Sequence, residues 1–461
     1  MRPMSQPEIV ILGAGIAGLA TAYHLAVKHK IKNIAIVDER APLGLTSSRG
    51  TMAYRNWFPG PGDAMVRLMN RSIDLLQEID GETKHALQLS QNGYKYFTAR
   101  ESQIAIWREL ARDAEQRGVG EFREHTKTNE VSCDGYIAKN LVGLEYARDG
   151  VDLLTDPEAI RQRYPQLTPN VVAMLHVQRC GAFDAIFLGN WLLAQAQAHG
   201  AQFIQDRVEK ISTRGNRIET IHLASGAEIS TRTLIIAAGP LLPDIARMLN
   251  IALPVYNELH GKITLRDTAR VFPRNGDLFL WSDPLTLEWN KEERATFAAS
   301  EETRWMLDEL PASVHFLPKG TDDEPKIMAL WTFDAHRADF VASPTFNPHY
   351  TKLVIRGLAR MIPNARVYFG LEQEAVVDGG YYCKTRENRP LIGPLPIQGA
   401  FIIGALSGFG VMASQGAADL LSAHIVGATL PEYAKSFLLS RYDNPKYRAL
   451  LENFDARSGQ L

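Results

Sequence analysis

The stretch that most constrains this chain is residues 8–18, Glu-Ile-Val-Ile-Leu-Gly-Ala-Gly-Ile-Ala-Gly. Its apolar run, largely β-branched and without alternation, predicts a strand buried on both faces, as in parallel sheets covered by helices. Gly13, Gly15 and Gly18 follow at G-x-G-x-x-G spacing, and an Ala-rich apolar stretch predicts a helix over 16–28. Residues 34–37 read as a second buried strand that ends at Asp38.

Each residue type in this unit has a physical use. Gly13 permits the tight turn out of the strand. Gly15, having no Cβ, lets a pyrophosphate approach the backbone closely, and Gly18 permits close helix–strand packing. The helix N-terminus adds free N–H groups and the positive end of a dipole. Asp38, about 20 residues past Gly18, is placed to accept the ribose hydroxyls and disfavours a 2′-phosphate. The unit predicts a dinucleotide site and argues against NADP.

At 461 residues the chain can form one large core or divide into domains. Its formal net charge of −2 supplies no basic field for nucleic acid or for an anionic membrane. Cys133, Cys180 and Cys383 stand far apart, with no C-x-x-C pair and no Cys/His ligand cluster, so neither a redox disulfide nor a metal site is expected. The polar arm 1–7 runs straight into the first strand and lacks the form of a secretory signal. No apolar run reaches the roughly 18 residues of a membrane span. The expected compartment is the cytoplasm.

Beyond Asp38 a turn carries Glu39 and Arg40. Residues 45–51 then supply the hydroxyls of Thr46, Ser47 and Ser48 with Arg49 and Gly50. Such groups hydrogen-bond a pyrophosphate or the edge of a flavin ring, or form an ordinary polar loop. Residues 56–62 form a stiff turn bearing Trp57 and Phe58, and Asp63 is read as the cap of an amphipathic helix. Residues 93–97 read as a strand. Residues 101–117, 157–163 (begun by Asp156-Pro157) and 185–199 read as helices. Residues 203–211, 217–223 and 227–229 read as a meander, and 233–240 as a buried strand ending in small residues. From 251 to 383, strands over 258–265, 278–281, 314–317 and 326–333 surround one helix over 350–361, which predicts a second domain on a largely antiparallel sheet. Residues 401–404, a glycine turn over 405–410 and a small-residue helix over 411–427 repeat the strand–glycine–helix pattern at the far end.

The strand ends at Ala238-Gly239 and at Gly404 thus match the first one from far along the chain. A nicotinamide domain is normally completed within one continuous stretch. A long cofactor lying across an interleaved domain fits this pattern better, and that cofactor is FAD. With no second G-x-G-x-x-G for NADH and no cysteine pair, the electrons are expected to come directly from the organic substrate.

Together with residues 179–184 (Arg-Cys-Gly-Ala-Phe-Asp), 234–239 (Leu-Ile-Ile-Ala-Ala-Gly), 384–393 (Lys-Thr-Arg-Glu-Asn-Arg-Pro-Leu-Ile-Gly) and 403–410 (Ile-Gly-Ala-Leu-Ser-Gly-Phe-Gly), the fingerprint resembles the D-amino acid oxidase superfamily, which includes glycine oxidase, sarcosine oxidase and dimethylglycine dehydrogenase. The motifs stand in family order over nearly the whole chain, with 250–375 following only in outline. The resemblance implies an α/β fold, α+β overall. A Rossmann-like FAD-binding domain (1–90, 155–245 and 378–461) is interleaved with a mixed, largely antiparallel-sheet substrate domain (91–154 and 246–377). It implies that Ala14 to Gly18 meet the pyrophosphate, Asp38 the ribose, and Arg40 the adenosine. Residues 46–50 would lie along the pyrophosphate and isoalloxazine, Val208 would meet adenine through its backbone, and Ala238 and Gly239 would pass the pyrophosphate. Gly404, Ser407, Gly408, Phe409, Gly410, Val411 and Met412 would face the ribityl chain and pyrimidine edge.

The chain departs from the family at two carboxylate clamps. Tyr382 stands where many amino acid oxidases have Arg, and Met412 where sarcosine oxidases have Lys. Arg55 is the best remaining cation, either a substrate contact or an ordinary ion-pair residue. No His stands near Arg49, the dimethylglycine dehydrogenase attachment point, and Cys383 lies three residues from Gly380, where sarcosine oxidases have their cysteine. Non-covalent FAD is expected.

The reaction implied is oxidation of the C–N bond of an amine or amino acid, N-substituted or not, by hydride transfer to flavin N5. The imine then hydrolyses and O2 is reduced to H2O2. Roughly a thousandth of an aliphatic amine of pKa about 10 is neutral at pH 7, and the neutral form is the reactive one. An aromatic, water-poor pocket favours it. Tyr54, Trp57, Trp281, Trp331 and Tyr381 are the candidate pocket residues, with Arg55 and Tyr382 beside the reacting group. His260 and Lys262 share one face of their strand by two-residue alternation. They are candidates for the oxygen reaction or substrate contact, or are outward-facing strand polars. The partners are then a small amine or amino acid and O2 or another acceptor. Two alternatives stand beside this reading: an FAD dehydrogenase of a hydroxy acid, and a flavoprotein subunit that passes electrons to a partner protein.

Overall fold

The computed structural model describes residues 7–58, 62–126, 144 and 147–452. Cys133, the arm 1–6 and the centre of the turn 56–62 lie outside the described residues.

The strand Ile9–Leu12 sits inside a six-stranded sheet ordered Leu391–Pro394, Ala400–Gly404, Thr233–Ile236, Ile9–Leu12, Ile34–Asp38, Gln202–Gln205. Neighbours are parallel except the edge strand Leu391–Pro394. The alternation of side chains explains why these strands are apolar throughout. Ile9, Ile11, Ile34 and Ile36 face a core shared with the helices Ile16–Tyr23, Ala64–Glu82, Ala185–Ala198 and Gly410–Val426. Val10, Leu12, Ala35 and Val37 face another core, beneath the antiparallel meander Val208–Arg214, Arg217–Leu223, Glu228–Ser230. Two of the helices nearly touch through backbone, since a Cβ on Gly416 would stand 2.6 Å from the Leu68 carbonyl oxygen. There the Ser72 hydroxyl accepts from the Gly416 N–H at 3.1 Å and donates to the Met412 carbonyl at 2.5 Å.

A nine-stranded mixed sheet carries the rest. Its order is Val376–Thr385, Val255–Arg266, Pro325–Leu330, His315–Gly320, Leu278–Trp281, Tyr94–Thr98, Ala173–Val177, Val151–Leu154, Phe122–His125. Two neighbour pairs in it are parallel, Leu278–Trp281 with Tyr94–Thr98 and Phe122–His125 with Val151–Leu154. The helix Tyr350–Met361 packs with this sheet in a core where Phe97, Phe279 and Phe316 stack across three adjacent strands, at 6.1 and 5.0 Å between centroids. No helix among the described residues is long and apolar enough to cross a membrane.

The fold class is the expected one, and local details differ for physical reasons. The run 203–211 is two strands: Gln202–Gln205 joins the edge of the parallel sheet, and Val208–Arg214 starts the meander. The break falls at Asp206, whose N–H is taken by the Asp38 carbonyl at 3.0 Å. The helix over 16–28 is α-helical to Tyr23 and winds as a π-helix over His24–Lys28. Asp156 caps its helix through the Glu158 and Ala159 N–H groups, whereas the Asp63 side chain makes no cap bond and lies 3.5 Å from Arg67. Sheet membership also cuts across the expected domain segments. Ala173–Val177, within 155–245, pairs with Tyr94–Thr98 and Val151–Leu154 in the nine-stranded sheet. Val376–Thr385 runs through position 378 as one strand paired to Val255–Arg266.

Two histidines of the large sheet set an acid limit on stability. His176 and His315 are buried. Burial pushes His176 down to about 3 and His315 down to about 4. An unfolded histidine titrates near 6.5, so below that pH the unfolded chain binds more protons than the folded one. Stability is then lost as pH falls from about 6.5, by about 2 kcal/mol per histidine at pH 5. Burial alone would raise Asp152, but hydrogen bonds from His125, Arg123 and Gln178 hold it well below the usual carboxylate range, so its contribution persists through this window. Denaturant unfolding is expected to show roughly 4 kcal/mol less stability at pH 5 than at pH 7 from these two groups. Equal midpoints at the two pH values would contradict it.

Candidate active site

Four parallel strands, Ile9–Leu12, Ile34–Asp38, Thr233–Ile236 and Ala400–Gly404, point their carboxyl ends at one cleft. This is the crevice at which open α/β sheets take ligands. Its opposite wall comes from the nine-stranded sheet, through Tyr381, Tyr382 and Cys383.

The first glycine turn is held by backbone contact. Gly13 has φ +115°, and a Cβ there would overlap the Ala237 carbonyl oxygen; a Cβ on Gly18 would overlap the Gly13 carbonyl oxygen. Asp38 ties the turn down with both oxygens: Oδ2 accepts from the Ala14 N–H at 2.8 Å and Oδ1 from the Arg40 N–H at 2.9 Å. A carboxylate has about four acceptor sites, so two remain for a ligand. The Ser47 hydroxyl accepts from the Ile16 N–H at 3.0 Å and so sits on the helix N-terminus. Thr46 donates to the Tyr381 carbonyl at 2.9 Å and joins the two walls.

Behind Tyr382 the far wall carries a polar ladder that does not itself line the cleft. Tyr256, Glu258, His260 and Lys262 stand opposite Lys384, Tyr382, Gly380 and Asp378 in the antiparallel register, and opposed residues share a face. The His260 ring stacks on Tyr382 with centroids 4.0 Å apart, and its Nε2 lies 3.2 Å from Glu258 Oε2. Lys384 Nζ donates to the same oxygen at 3.0 Å. Burial would raise Glu258, but His260 and Lys384 hold it down at about 2. Burial lowers His260, against the opposing pull of Glu258. Lys262 is lowered chiefly by burial; it pairs with Asp378 at 3.3 Å and donates to the Arg49 carbonyl. Both His260 and Lys262 are only 6% exposed, so they are not solvent-facing strand polars. Burial pushes Tyr382 up to about 12. The Tyr382 ring also lies against Gly408, where a Cβ would stand 2.5 Å away.

Gly13, Gly15, Ile16, Ala17, Asp38, Arg40, Thr46, Ser47 and Gly50 line the cleft, as do Ala238, Gly239, Gly404, Ser407, Gly408, Gly410 and Val411. Arg40 pairs with Glu39 at 2.5 Å and lies 5.6 Å over Phe340. Other expected residues sit one layer away. Ser48 donates to the Leu45 carbonyl, and Arg49 lies 3.8 Å from Asp378. Val208 is buried at the start of the meander, Met412 is buried in the helix core, and Phe409 packs edge-on to Phe58 at 5.4 Å. Arg55 is buried 4.7 Å over Phe58 and beside Tyr96. The aromatic pocket needs correction. Tyr381 and Tyr382 reach the cleft, but Tyr54, Trp57, Trp281 and Trp331 are core residues. Tyr54 donates to the Ser90 carbonyl at 2.8 Å and Trp331 to the Pro311 carbonyl at 2.9 Å, contacts that hold them inside. Cys383 lines the cleft as a buried thiol pushed up to about 12 by burial, and so is a poor nucleophile.

Glu258, Asp378 and Lys384 belong to the group around His260 and Lys262 as well. The alternation that singles out His260 and Lys262 continues to Glu258, but Asp378 and Lys384 join the group only through the strand register. Among the described residues no group of three or more His, Cys, Asp or Glu is placed to hold a metal ion.

A family model described as FAD dependent oxidoreductase (DAO) matches residues 8–424. Sarcosine oxidase subunit beta from Arthrobacter sp is 31% identical over 91 residues, 20% of this chain and 22% of that protein. The chain thus matches about a fifth of that relative's length. D-amino acid dehydrogenase from Neisseria meningitidis serogroup C (strain 053442) is 24% identical over 289 residues, 56% of this chain and 67% of that one. The crystal structure of L-proline dehydrogenase from P. horikoshii shares the fold, with a TM-score of 0.70 at 18% identity over 95% of this chain and 98% of that one.

Asp38→Ala is expected to release the Ala14 and Arg40 N–H groups together. Each hydrogen bond to a charged group is worth about 1.5–3 kcal/mol. The variant should unfold at lower denaturant and exchange those two amides faster. Unchanged exchange at Ala14 would show that the turn is held without the carboxylate.

Proposed function

Because the chain belongs to the FAD dependent oxidoreductase family, we propose that it oxidises the C–N bond of an amine or amino acid, N-substituted or not, to an imine that hydrolyses in water. The observation that supports the reading is Tyr382, which lines the cleft across from the glycine turns and is backed by the stacked His260 ring and its partner Glu258. The names of the relatives, an oxidase subunit for sarcosine and dehydrogenases of D-amino acids and of L-proline, support the same bond.

The cleft fits FAD by its donor set. It has a carboxylate at the end of the second strand, N–H groups at a helix start, a glycine with no Cβ beside them, and small-residue strand ends along its length. Asp38 would hold the ribose. Ala14 to Ala17, Ser47, Ala238 and Gly239 would hold the pyrophosphate, and Thr46, Ser407 and Gly408 the ring end. Bound FAD would supply the two-electron acceptor. The protonated Cys383 thiol supports a non-covalent complex.

The chain's own part is to prepare the amine. Tyr382 closes this side of the cleft as an aromatic wall. Its exclusion of water favours loss of the ammonium proton. The Glu258 carboxylate accepts the His260 Nε2–H, which leaves the lone pair on Nδ1 of an imidazole that burial keeps neutral. Lys262, fixed by Asp378 and the Arg49 carbonyl, supplies a positive charge for the reaction of O2, which is reduced to H2O2. A second reading follows from the Arthrobacter relative, which is by name one subunit of an oxidase: electrons leave to a partner protein.

Anaerobic mixing with N-methyl amines, amino acids, cyclic amines and hydroxy acids tests the bond. The visible flavin band should bleach with an amine, and bleaching with hydroxy acids alone would overturn the reading. Lys262→Met should leave anaerobic bleaching within about threefold and slow recovery in air roughly tenfold or more, a change of about 1.4 kcal/mol or more in barrier. Slow recovery of the unsubstituted protein in air would favour the partner-protein reading.

A further inference from the structure

The turn Leu439–Asp443 lies past residue 424, where the family match stops. Its Arg441 and the facing Glu387 form an ion pair with side chains each 3% exposed. Glu387 Oε1 accepts from Arg441 Nε at 3.1 Å and Nη2 at 2.8 Å, and from the Tyr442 and Tyr447 hydroxyls at 2.7 and 2.9 Å. Arg441 also donates through Nη1 to the Pro390 carbonyl at 2.9 Å and through Nη2 to the Arg389 carbonyl at 3.0 Å. One rigid guanidinium thus grips the turn 387–390 at three points, a geometry a lysine does not reproduce. Burial would push the Glu387 carboxyl up, but Arg441 and Tyr442 hold it below the usual carboxylate range.

The gripped turn reaches the cleft. Asn388, buried within it at φ +55°, accepts at Oδ1 from the Ser407 hydroxyl at 3.1 Å. Ser407 stands at φ +50° and lines the cleft where the last glycine turn enters the helix Gly410–Val426. Non-glycine residues keep this left-handed conformation only where their surroundings over-determine it. Here two of them hold one another, and the Glu387–Arg441 pair fixes the first.

We propose that Arg441 is a positioning residue for the cofactor: through Glu387 and Asn388 it fixes Ser407 in the conformation that shapes the FAD cleft, so the segment after the last long helix sets FAD affinity. This rests on the cleft being the FAD site.

The test is FAD titration of the full-length apoprotein by flavin fluorescence, with circular dichroism and thermal unfolding alongside. Arg441→Met and Asn388→Ala should each keep the native spectrum at the assay temperature and raise the FAD Kd tenfold or more. The double variant should bind no worse than the weaker single one, because both act through one path. Arg441→Lys keeps the charge without the fork, so it should keep the native fold and still bind FAD several-fold more weakly, and it carries the test should Arg441→Met lose its native spectrum. A lowered melting temperature with unchanged Kd, or effects that multiply in the double variant, would overturn the proposal while leaving the FAD reading intact. Unsubstituted apoprotein that takes up no FAD would overturn that reading, and this proposal with it.

Discussion

The fold depends on one point where three backbone segments meet without a side chain between them. The Gly13 carbonyl, the Cα of Gly18 and the Ala237 carbonyl leave no room for a Cβ at either glycine. That closeness presses the first helix onto the strand Ile9–Leu12 and brings the end of Thr233–Ile236 beside it. The helix N-terminus and two strand ends therefore open onto the same space. Asp38 completes the corner from the strand Ile34–Asp38 by accepting from the Ala14 N–H. The cleft is in this sense a by-product of tight backbone packing, to which the cofactor's anionic part is suited.

The other wall depends on a different constraint. The long antiparallel pairing of Val255–Arg266 with Val376–Thr385 puts every second residue of both strands on one face. Slipping that register by one residue would turn Glu258, His260, Lys262 and Tyr382 away together. Two glycines let this face approach the nucleotide half: Gly380, where a Cβ would stand 3.3 Å from Thr46, and Gly408, on which the Tyr382 ring rests. Neither glycine has a positive φ among those found in this chain, so absence of a side chain rather than backbone freedom is what each supplies.

Charge is buried on both sides of this arrangement, and it is buried in pairs. Glu258 answers Lys384 and His260, and Glu387 answers Arg441. Breaking one partner of a buried pair costs about 3–5 kcal/mol, while the intact pair adds little against an apolar replacement. Such groups therefore specify geometry more than they stabilise the chain. Here they stand behind Tyr382 and behind Ser407, on two sides of one cleft.

What can be read from the residues alone is whatever is encoded within a few positions of itself. The glycine spacing with its strand and acid, the capped helix Pro157–Arg163 and the amphipathic helix Tyr350–Met361 are all local patterns of sterics, capping or period. They sufficed for the dinucleotide site and the fold class, while FAD followed from the recurrence of the strand–glycine pattern near 239 and 404. The aromatic candidates show the limit. Tyr382 and Trp331 look alike as strand aromatics, yet one lines the cleft and the other donates to Pro311 inside the core. Likewise nothing near Glu258 in the chain announces Lys384, and nothing near Asn388 announces Arg441. Sequence by itself determined the nucleotide-binding half, because close backbone approach and strand burial require particular residue types at fixed short spacings. Only the tertiary structure decided the composition of the far wall and its supports, because strand register and burial are set by contacts between residues more than a hundred positions apart.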